Sequence, residues 1–195
     1  MRKIYLEGRV WNGLMKAVMA TAAKDDRRPV LQGILVEVDG ERARFTTLDG
    51  CCMASWEVAL KANEGERGEK WSAIIPQMEL KAAKTEPVSI EVENGFVTVR
   101  NIYRKTSATA QLLEGEFLEY RKVLPGERDE CTIAFNPKLM RAVLEGLDDL
   151  APADEKEHYV KMRVPRDGIS PIVLGYECDE AKLTGLVLPV KLFKK

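Results

Sequence analysis

Arg27-Arg28-Pro29-Val30-Leu31-Gln32-Gly33-Ile34-Leu35-Val36-Glu37-Val38-Asp39-Gly40-Glu41-Arg42-Ala43-Arg44-Phe45-Thr46-Thr47-Leu48-Asp49-Gly50 is the stretch that decides the fold. Leu31 to Val38 and Arg42 to Phe45 are β-rich runs split by Asp39-Gly40, a pair suited to a tight hairpin turn. Leu48-Asp49-Gly50 turns the chain again into Met53-Ala54-Ser55-Trp56-Glu57-Val58. The expected result is an antiparallel meander of three strands.

The same pattern recurs along the chain as a strand, a helix and then three strands. In the first copy Lys3 to Val10 is the strand and Trp11 to Ala23 the helix. Asn12 is its expected N-cap, and Leu14, Met15, Val18 and Met19 form an apolar stripe of helical period. In the second copy Trp71 to Ile75 is the strand. Pro76 suits the first turn of a helix carrying Met78, Leu80 and Ala83. Val88 to Val92, a turn at Glu93-Asn94-Gly95, Phe96 to Val99 and Thr106 to Ala110 complete it. In the third copy Cys131 to Phe135 is the strand, and Asn136-Pro137 reads as a cap followed by proline at the first helical position. Leu139, Met140, Val143, Leu144 and Leu147 form that helix's stripe. Strands are expected at Tyr159 to Val164, Ile169 to Tyr176 and Lys182 to Leu192, with a turn at Arg166-Asp167-Gly168. Between the second and third copies, Phe117, Leu118, Tyr120, Val123 and Leu124 give the connecting segment an apolar content that favours burial.

Bulk properties narrow the function. The 195 residues suffice for one large domain or two small ones, and a hydrophobic fraction of 45% is ordinary for a folded core. Thirty basic and 31 acidic residues leave a formal charge of −1, which argues against a polycation that coats nucleic acid but allows a local basic face. No run is long and apolar enough for a membrane span, and the N-terminus has no apolar leader core, so a cytoplasmic protein is expected. Cys51, Cys52, Cys131 and Cys178 lack a metal-ligand spacing and are expected to be reduced structural thiols, with no metal or cofactor.

Catalytic signals are weak. His158 is the single histidine and lies beside Glu155-Lys156-Glu157. Asp25-Asp26 precedes Arg27-Arg28 and reads as a charged turn, and Asp148-Asp149 as a helix end. No phosphate loop or nucleophile-base arrangement is present in the sequence. A noncatalytic protein is expected.

Four motifs in order give the chain a resemblance to the bacterial sliding clamp, the beta subunit of DNA polymerase III. Arg28, Leu31 and Gly33 ahead of a β run resemble the start of a meander in that family's second domain. Thr47-Leu48-Asp49-Gly50 followed by Met53-Ala54 resembles its Thr-Asp-Gly-x-x-Leu-Ala, with Leu48 inserted and Cys51-Cys52 in place of a common His-Arg pair. Phe117-Leu118-Glu119-Tyr120-Arg121-Lys122-Val123-Leu124-Pro125 resembles its interdomain motif. Val187-Leu188-Pro189-Val190-Lys191-Leu192 resembles its terminal Met-Pro-Met-Arg-Leu. The resemblance implies an α+β DNA-clamp fold of repeated β-α-β-β-β units, with antiparallel sheets and helices on one face. A family clamp has three domains of two units each; this chain has about one and a half. Residues 1–113 correspond to a complete clamp-like domain, 114–126 to a linker, and 127–195 to a half domain.

The same resemblance implies a processivity factor that encircles double-stranded DNA without reading sequence, as a homo-oligomer. It also implies a groove for short apolar peptides of DNA polymerase or other clamp partners. The groove positions map onto Leu31, Thr47, Gly50, Met53, Pro125, Leu186 and Leu188. Lys16, Lys24, Lys81, Lys84, Lys138 and Arg141 are the expected DNA-facing residues; a solvated helix face is the plain alternative for them. Four chains of three units would match the twelve units of a family ring, with the unpaired third unit completed by its twin from another chain. An adaptor or decoy that binds clamp-interacting peptides without encircling DNA is the competing reading.

Overall fold

Two tight turns set the geometry of the first half of the chain. Gly40 (φ +59°) closes one hairpin, and Asn94 (φ +50°) with Gly95 (φ +79°) closes the other. Both central residues of the second turn have positive φ, which matches the right-handed strand twist, and Asn-Gly tolerates that conformation best. A computed structural model describes residues 1–24, 27–60, 70–77, 86–122, 132–148, 159–177 and 182–190. The chain divides into two compact units, Met1–Val123 and Leu124–Lys195.

The first unit contains β1 (Arg2–Leu6), α1 (Gly8–Thr21), β2 (Gly33–Asp39), β3 (Arg42–Leu48), β4 (Met53–Ala59), β5 (Lys70–Pro76), β6 (Val88–Glu93), β7 (Phe96–Asn101) and β8 (Ser107–Gln111). Each meander forms as expected, but its fourth strand comes from the other repeat. The two sheets run β4-β3-β2-β5 and β1-β6-β7-β8, antiparallel throughout. Leu6 pairs with Val88 and Ile75 with Ile34. The repeats are therefore interlocked by exchange of their first strands.

That exchange creates one core from two repeats. Ile4, Trp11, Leu14, Val18, Val36, Phe45, Ile75, Ile90 and Val99 belong to a single buried cluster. Their alternation along each strand puts every second side chain inward, and α1 packs its apolar face over β3 and β4.

Several local expectations change. The first helix begins at Gly8, three residues early, and its N-cap is Glu7, whose side chain makes no capping bond. Asn12 lies inside the helix, where its side-chain amide donates to the Gly8 carbonyl at 2.7 Å. The strand before it accordingly ends at Leu6. Pro76 is the last residue of β5 and not a helical position; the helix expected over Met78, Leu80 and Ala83 lies outside the described residues. Pro29–Gln32 forms a short 3-10 turn with proline at its start. Leu118 is exposed, whereas Tyr120 is buried.

The second unit contains α2 (Pro137–Asp148), β9 (Lys161–Arg163), β10 (Ile172–Glu177) and β11 (Lys182–Val187), with sheet order β11-β10-β9. Asn136 caps α2 as expected, accepting from the Lys138 amide at 2.9 Å. Gly168 (φ +65°) and Asp167, whose Oδ1 accepts from the Ile169 and Ser170 amides, make the expected turn. The strand expected over Cys131 to Phe135 is reduced, among the described residues, to a bridge between Phe135 and Pro189. Among the described residues the buried core here is Met140, Ile172, Leu174, Tyr176 and Val187.

Two tests follow from the interlock. Gly8 lets α1 approach the backbone of Glu86, where a Cβ would stand 2.1 Å from the Glu86 carbonyl oxygen, far inside van der Waals contact. Gly8→Ala should lower stability by about 2–4 kcal/mol in urea unfolding. Gly95→Ala meets only positive-φ strain and should cost about 1 kcal/mol. A reversed order would contradict the close approach.

The Lys3 ammonium meets the Glu91 carboxylate at 2.8 Å and ties β1 to β6. The hydrogen bond from Lys3 holds Glu91 below the usual carboxylate range, with Arg100 adding to it against the opposing effect of burial. A depressed folded pKa contributes stability above the unfolded pKa and loses it as pH falls through the folded value. Glu91→Gln should therefore cost about 1 kcal/mol at neutral pH. That difference should shrink as pH falls below about 4.3. A pH-independent difference in urea midpoints would argue against the linkage.

Candidate functional site

Leu31 and Met53, two of the expected groove residues, meet in a small apolar cluster separate from the main core. Its buried members are Ala23, Leu31, Leu48 and Tyr120, with Val30, Leu35, Met53 and Phe117 packed against them. The 3-10 turn brings Leu31 inward, and the Leu31 carbonyl accepts from the Ala23 amide at 3.0 Å. The β3–β4 register sets Leu48 opposite Met53, so the residue that interrupts the family motif is a buried part of the cluster. Thr47 is buried, and its hydroxyl shares a 2.6 Å hydrogen bond with that of Thr21. Its position ties β3 to the end of α1.

Tyr120 and Phe117 are members of this cluster that the motif mapping did not supply. Tyr120 is fixed by a hydrogen bond from its hydroxyl to Glu37 at 3.1 Å. Arg121 binds the same carboxylate at 2.7 Å, and its guanidinium lies over the Tyr120 ring at 4.9 Å. The apolar run Phe117 to Tyr120 signalled burial in the sequence but not its target. Met offers an adaptable surface and the aromatic ring a rigid one, a combination suited to apolar peptide anchors.

Gly50 sits at φ +99° in the turn beside this wall, with open space where a Cβ would stand. Asp49 organises the turn: its Oδ1 accepts from the Cys51 and Cys52 amides at 2.8 Å each. These bonds, that from Cys52 first, hold the Asp49 carboxyl below its ordinary range. Burial pushes the Cys52 thiol up, and the Asp49 carboxylate adds to the effect. The thiol is thus kept protonated, which lowers its nucleophilicity. Cys51 and Cys52 are both free and exposed.

Leu186 and Leu188 are exposed in the second unit, at and beyond the end of β11. Pro125, the remaining groove position, lies outside the described residues, as do Lys81 and Lys84 of the DNA-facing set.

Lys16 and Lys24 are exposed, Lys16 on α1 and Lys24 just beyond it. Starting the helix at Gly8 adds Arg9, exposed and seven residues before Lys16, hence on the same helical stripe. The sequence reading missed it because the helix was begun at Trp11. Lys138 and Arg141 are exposed on α2, but Glu145 lies one turn on along their face, so that stripe carries both signs. Among the described residues no group of acidic, histidine or cysteine side chains forms a metal site, and no helix is long and apolar enough to cross a membrane.

Comparison with known proteins agrees with this architecture. The beta sliding clamp of Vibrio cholerae is 29% identical over 119 residues, covering 58% of this chain and 31% of that protein. That of Escherichia coli K12 is 27% identical over 123 residues, 60% of this chain and 32% of that protein. The crystal structure of the Bacillus subtilis sliding clamp superposes with a TM-score of 0.75 at 16% identity, covering 96% of this chain and 49% of that one. The beta chain of Streptococcus pneumoniae gives 0.75 at 18% identity, with 98% and 50% covered. These structural likenesses establish the clamp fold. The chain spans about a third of the curated relatives and about half of the solved structures it matches. Residues 6–119, more than half of the chain, match the family described as DNA polymerase III beta subunit, central domain, and the chain belongs to that family.

Proposed function

We propose that the protein is a noncatalytic, clamp-like processivity factor of DNA replication in the cytoplasm, which encircles double-stranded DNA as a homo-oligomer and captures polymerase-type peptides. The face of α1 supports this reading most. From Gly8 to Lys24 the sequence holds Arg9, Lys16 and Lys24 and no carboxylate, although the chain as a whole is slightly acidic. Such a face attracts phosphate without reading bases. In a closed ring a weak, unspecific attraction suffices, because topology and not affinity retains the protein. Lys24, Lys81, Lys84, Lys138 and Arg141 are proposed as further phosphate contacts. Leu31, Thr47, Gly50 and Met53 are proposed for the peptide wall of the first unit, joined by Leu48 and Tyr120. Pro125, Leu186 and Leu188 are proposed as contacts supplied by the rest of the chain.

Retention on nicked circular DNA tests the ring. The protein should co-elute with circles and be released when they are cut to linear form. Arg9→Glu with Lys16→Glu should weaken binding to short linear duplex at least about tenfold at physiological salt and make it less salt-dependent. Peptide binding without retention on circles would favour the adaptor reading and overturn the ring.

The wall has its own test. A labelled five-residue peptide with Leu and Phe anchors should bind in fluorescence anisotropy. Met53→Asp should weaken it by about tenfold or more. An unchanged affinity in a folded variant would exclude the wall around Met53.

A further inference from the structure

The loop joining β7 to β8 satisfies its own backbone and leaves its tip bare. Asn101, 1% exposed, is the pivot. Its amide donates to the Thr106 carbonyl at 2.8 Å, and its Oδ1 accepts from the Tyr103 and Arg104 amides at 3.1 and 3.0 Å. The Ile102 amide donates to the Pro87 carbonyl at 3.1 Å. The side-chain amide of Asn101 donates in turn to Glu86 at 2.7 Å, and the Arg104 guanidinium donates to the same carboxylate at 2.9 Å. Every backbone amide from Asn101 to Arg104 therefore has an acceptor within the protein. Lys105 follows at φ +55°, a conformation uncommon for a residue with a side chain.

At that tip Tyr103 is 71% exposed and Ile102 41%. Both line a cleft of about 900 Å³ that also takes in Tyr5, Val10, Val58 and Arg9. Arg9 opens the run of α1 that holds no carboxylate, so the cleft adjoins the helix face proposed for phosphate. The surroundings of the ring are mainly basic. Arg104 and Lys105 follow Tyr103 directly. Glu86 is occupied by Arg104 and Asn101, and Glu7 is the one carboxylate of the cleft lining among the described residues. Among the same residues Arg9 and Lys105 make no ion pair.

An exposed aromatic on a fixed backbone is a preformed contact, and little has to be ordered when it binds. Size and chemistry select the guest. A stable protein interface buries about 800 Å² per partner, which two bare side chains do not supply. A nucleobase needs one ring face. Aromatic rings set among cations are the composition of surfaces that hold single strands, where the ring stacks on a base and the cations meet the phosphates beside it. A base inside a duplex is already stacked on both sides, so the ring can take only an unpaired one.

We propose that Tyr103 is a stacking platform for an unpaired nucleobase, with Arg9 and Lys105 on the phosphates beside it. DNA held along α1 is then preferred where its duplex carries a single-stranded extension. This rests on the DNA-binding part of the reading above and adds to it a preference for strand structure that phosphate attraction alone does not give; neither a ring nor a bound peptide is required.

Fluorescence anisotropy of the full chain tests it, with a labelled linear duplex that ends in a single-stranded tail of about five nucleotides. One version of the tail is thymidine and the other is abasic, so that the two carry equal charge and differ only in their bases. The thymidine tail should bind about fivefold or more tightly than the abasic one. Tyr103→Ala should remove that difference, and Tyr103→Phe, which keeps the ring, should retain it. Lys105→Glu should weaken both tailed duplexes alike. Equal affinity of the wild type for the two tails overturns the inference and leaves the phosphate reading standing, and so does a thymidine preference that survives Tyr103→Ala. A wild-type chain that binds neither DNA removes both. The comparison of tails uses the wild type alone, so it decides the matter even where a variant misfolds.

Discussion

Exchange of first strands between repeats is the constraint on which the rest of the structure depends. A meander of three strands with one helix has two sheet edges and an apolar face too broad for the helix to cover. The first unit solves both problems at once. β1 closes the edge of β6 while β5 closes the edge of β2, and the two inner faces merge into one core. Fully burying a Val, Ile or Leu contributes about 1.5–3 kcal/mol. Neither repeat could hide Val36, Ile75, Ile90 and Val99 alone, so the two fold as one unit. Among the described residues, the second unit has one repeat and a core of five buried apolar residues.

The interlock also sets the position of the candidate peptide wall. With β2 held between β3 and β5, Glu37 is fixed on the sheet surface and can take both the Tyr120 hydroxyl and the Arg121 guanidinium. Those bonds anchor the segment after β8, and Tyr120 and Phe117 close over Leu31, Leu48 and Met53. The cluster is thus a satellite of the sheet, held in place by the sheet's own contacts. Preorganised apolar surface of this kind loses little conformational entropy on binding.

The sequence showed what is local. Asn94-Gly95 and Asn136-Pro137 carry their conformations in their own chemistry, and the turn and the cap stand where those pairs placed them. Alternation in Gly33–Asp39 and Val88–Glu93 identified strands, because one sheet face is buried in each. Asn12 misled because its amide can bond a carbonyl four residues back as readily as it can cap. Strand exchange was not legible: β1 and β5 are both short apolar runs, and nothing in such a run states which antiparallel partner it takes. The proposed groove rests only on motif resemblance. Leu48, an insertion by that measure, is a buried member of the apolar cluster, while Tyr120 reaches Glu37 across 83 positions of sequence.

Electrostatic placement shows how a chain of net charge −1 can present a basic helix. On the sheets, acids are paired with bases: Glu57 with Arg42 and Arg44, Glu91 with Lys3 and Arg100, Glu37 with Arg121. Exposed pairs of this sort contribute only about 0–1 kcal/mol each to stability. Their larger effect is on the field, since a paired carboxylate a few ångströms from its cation contributes little potential beyond a Debye length of about 8 Å. Arg9 and Lys16 have no carboxylate on their own helix, where the sequence between Gly8 and Thr21 is otherwise apolar or neutral. Within α1 itself, Arg9 and Lys16 are accompanied by no acidic side chain. The proposed function asks of such a face only that it hold phosphate loosely enough to slide, which tight, geometry-specific contacts would prevent.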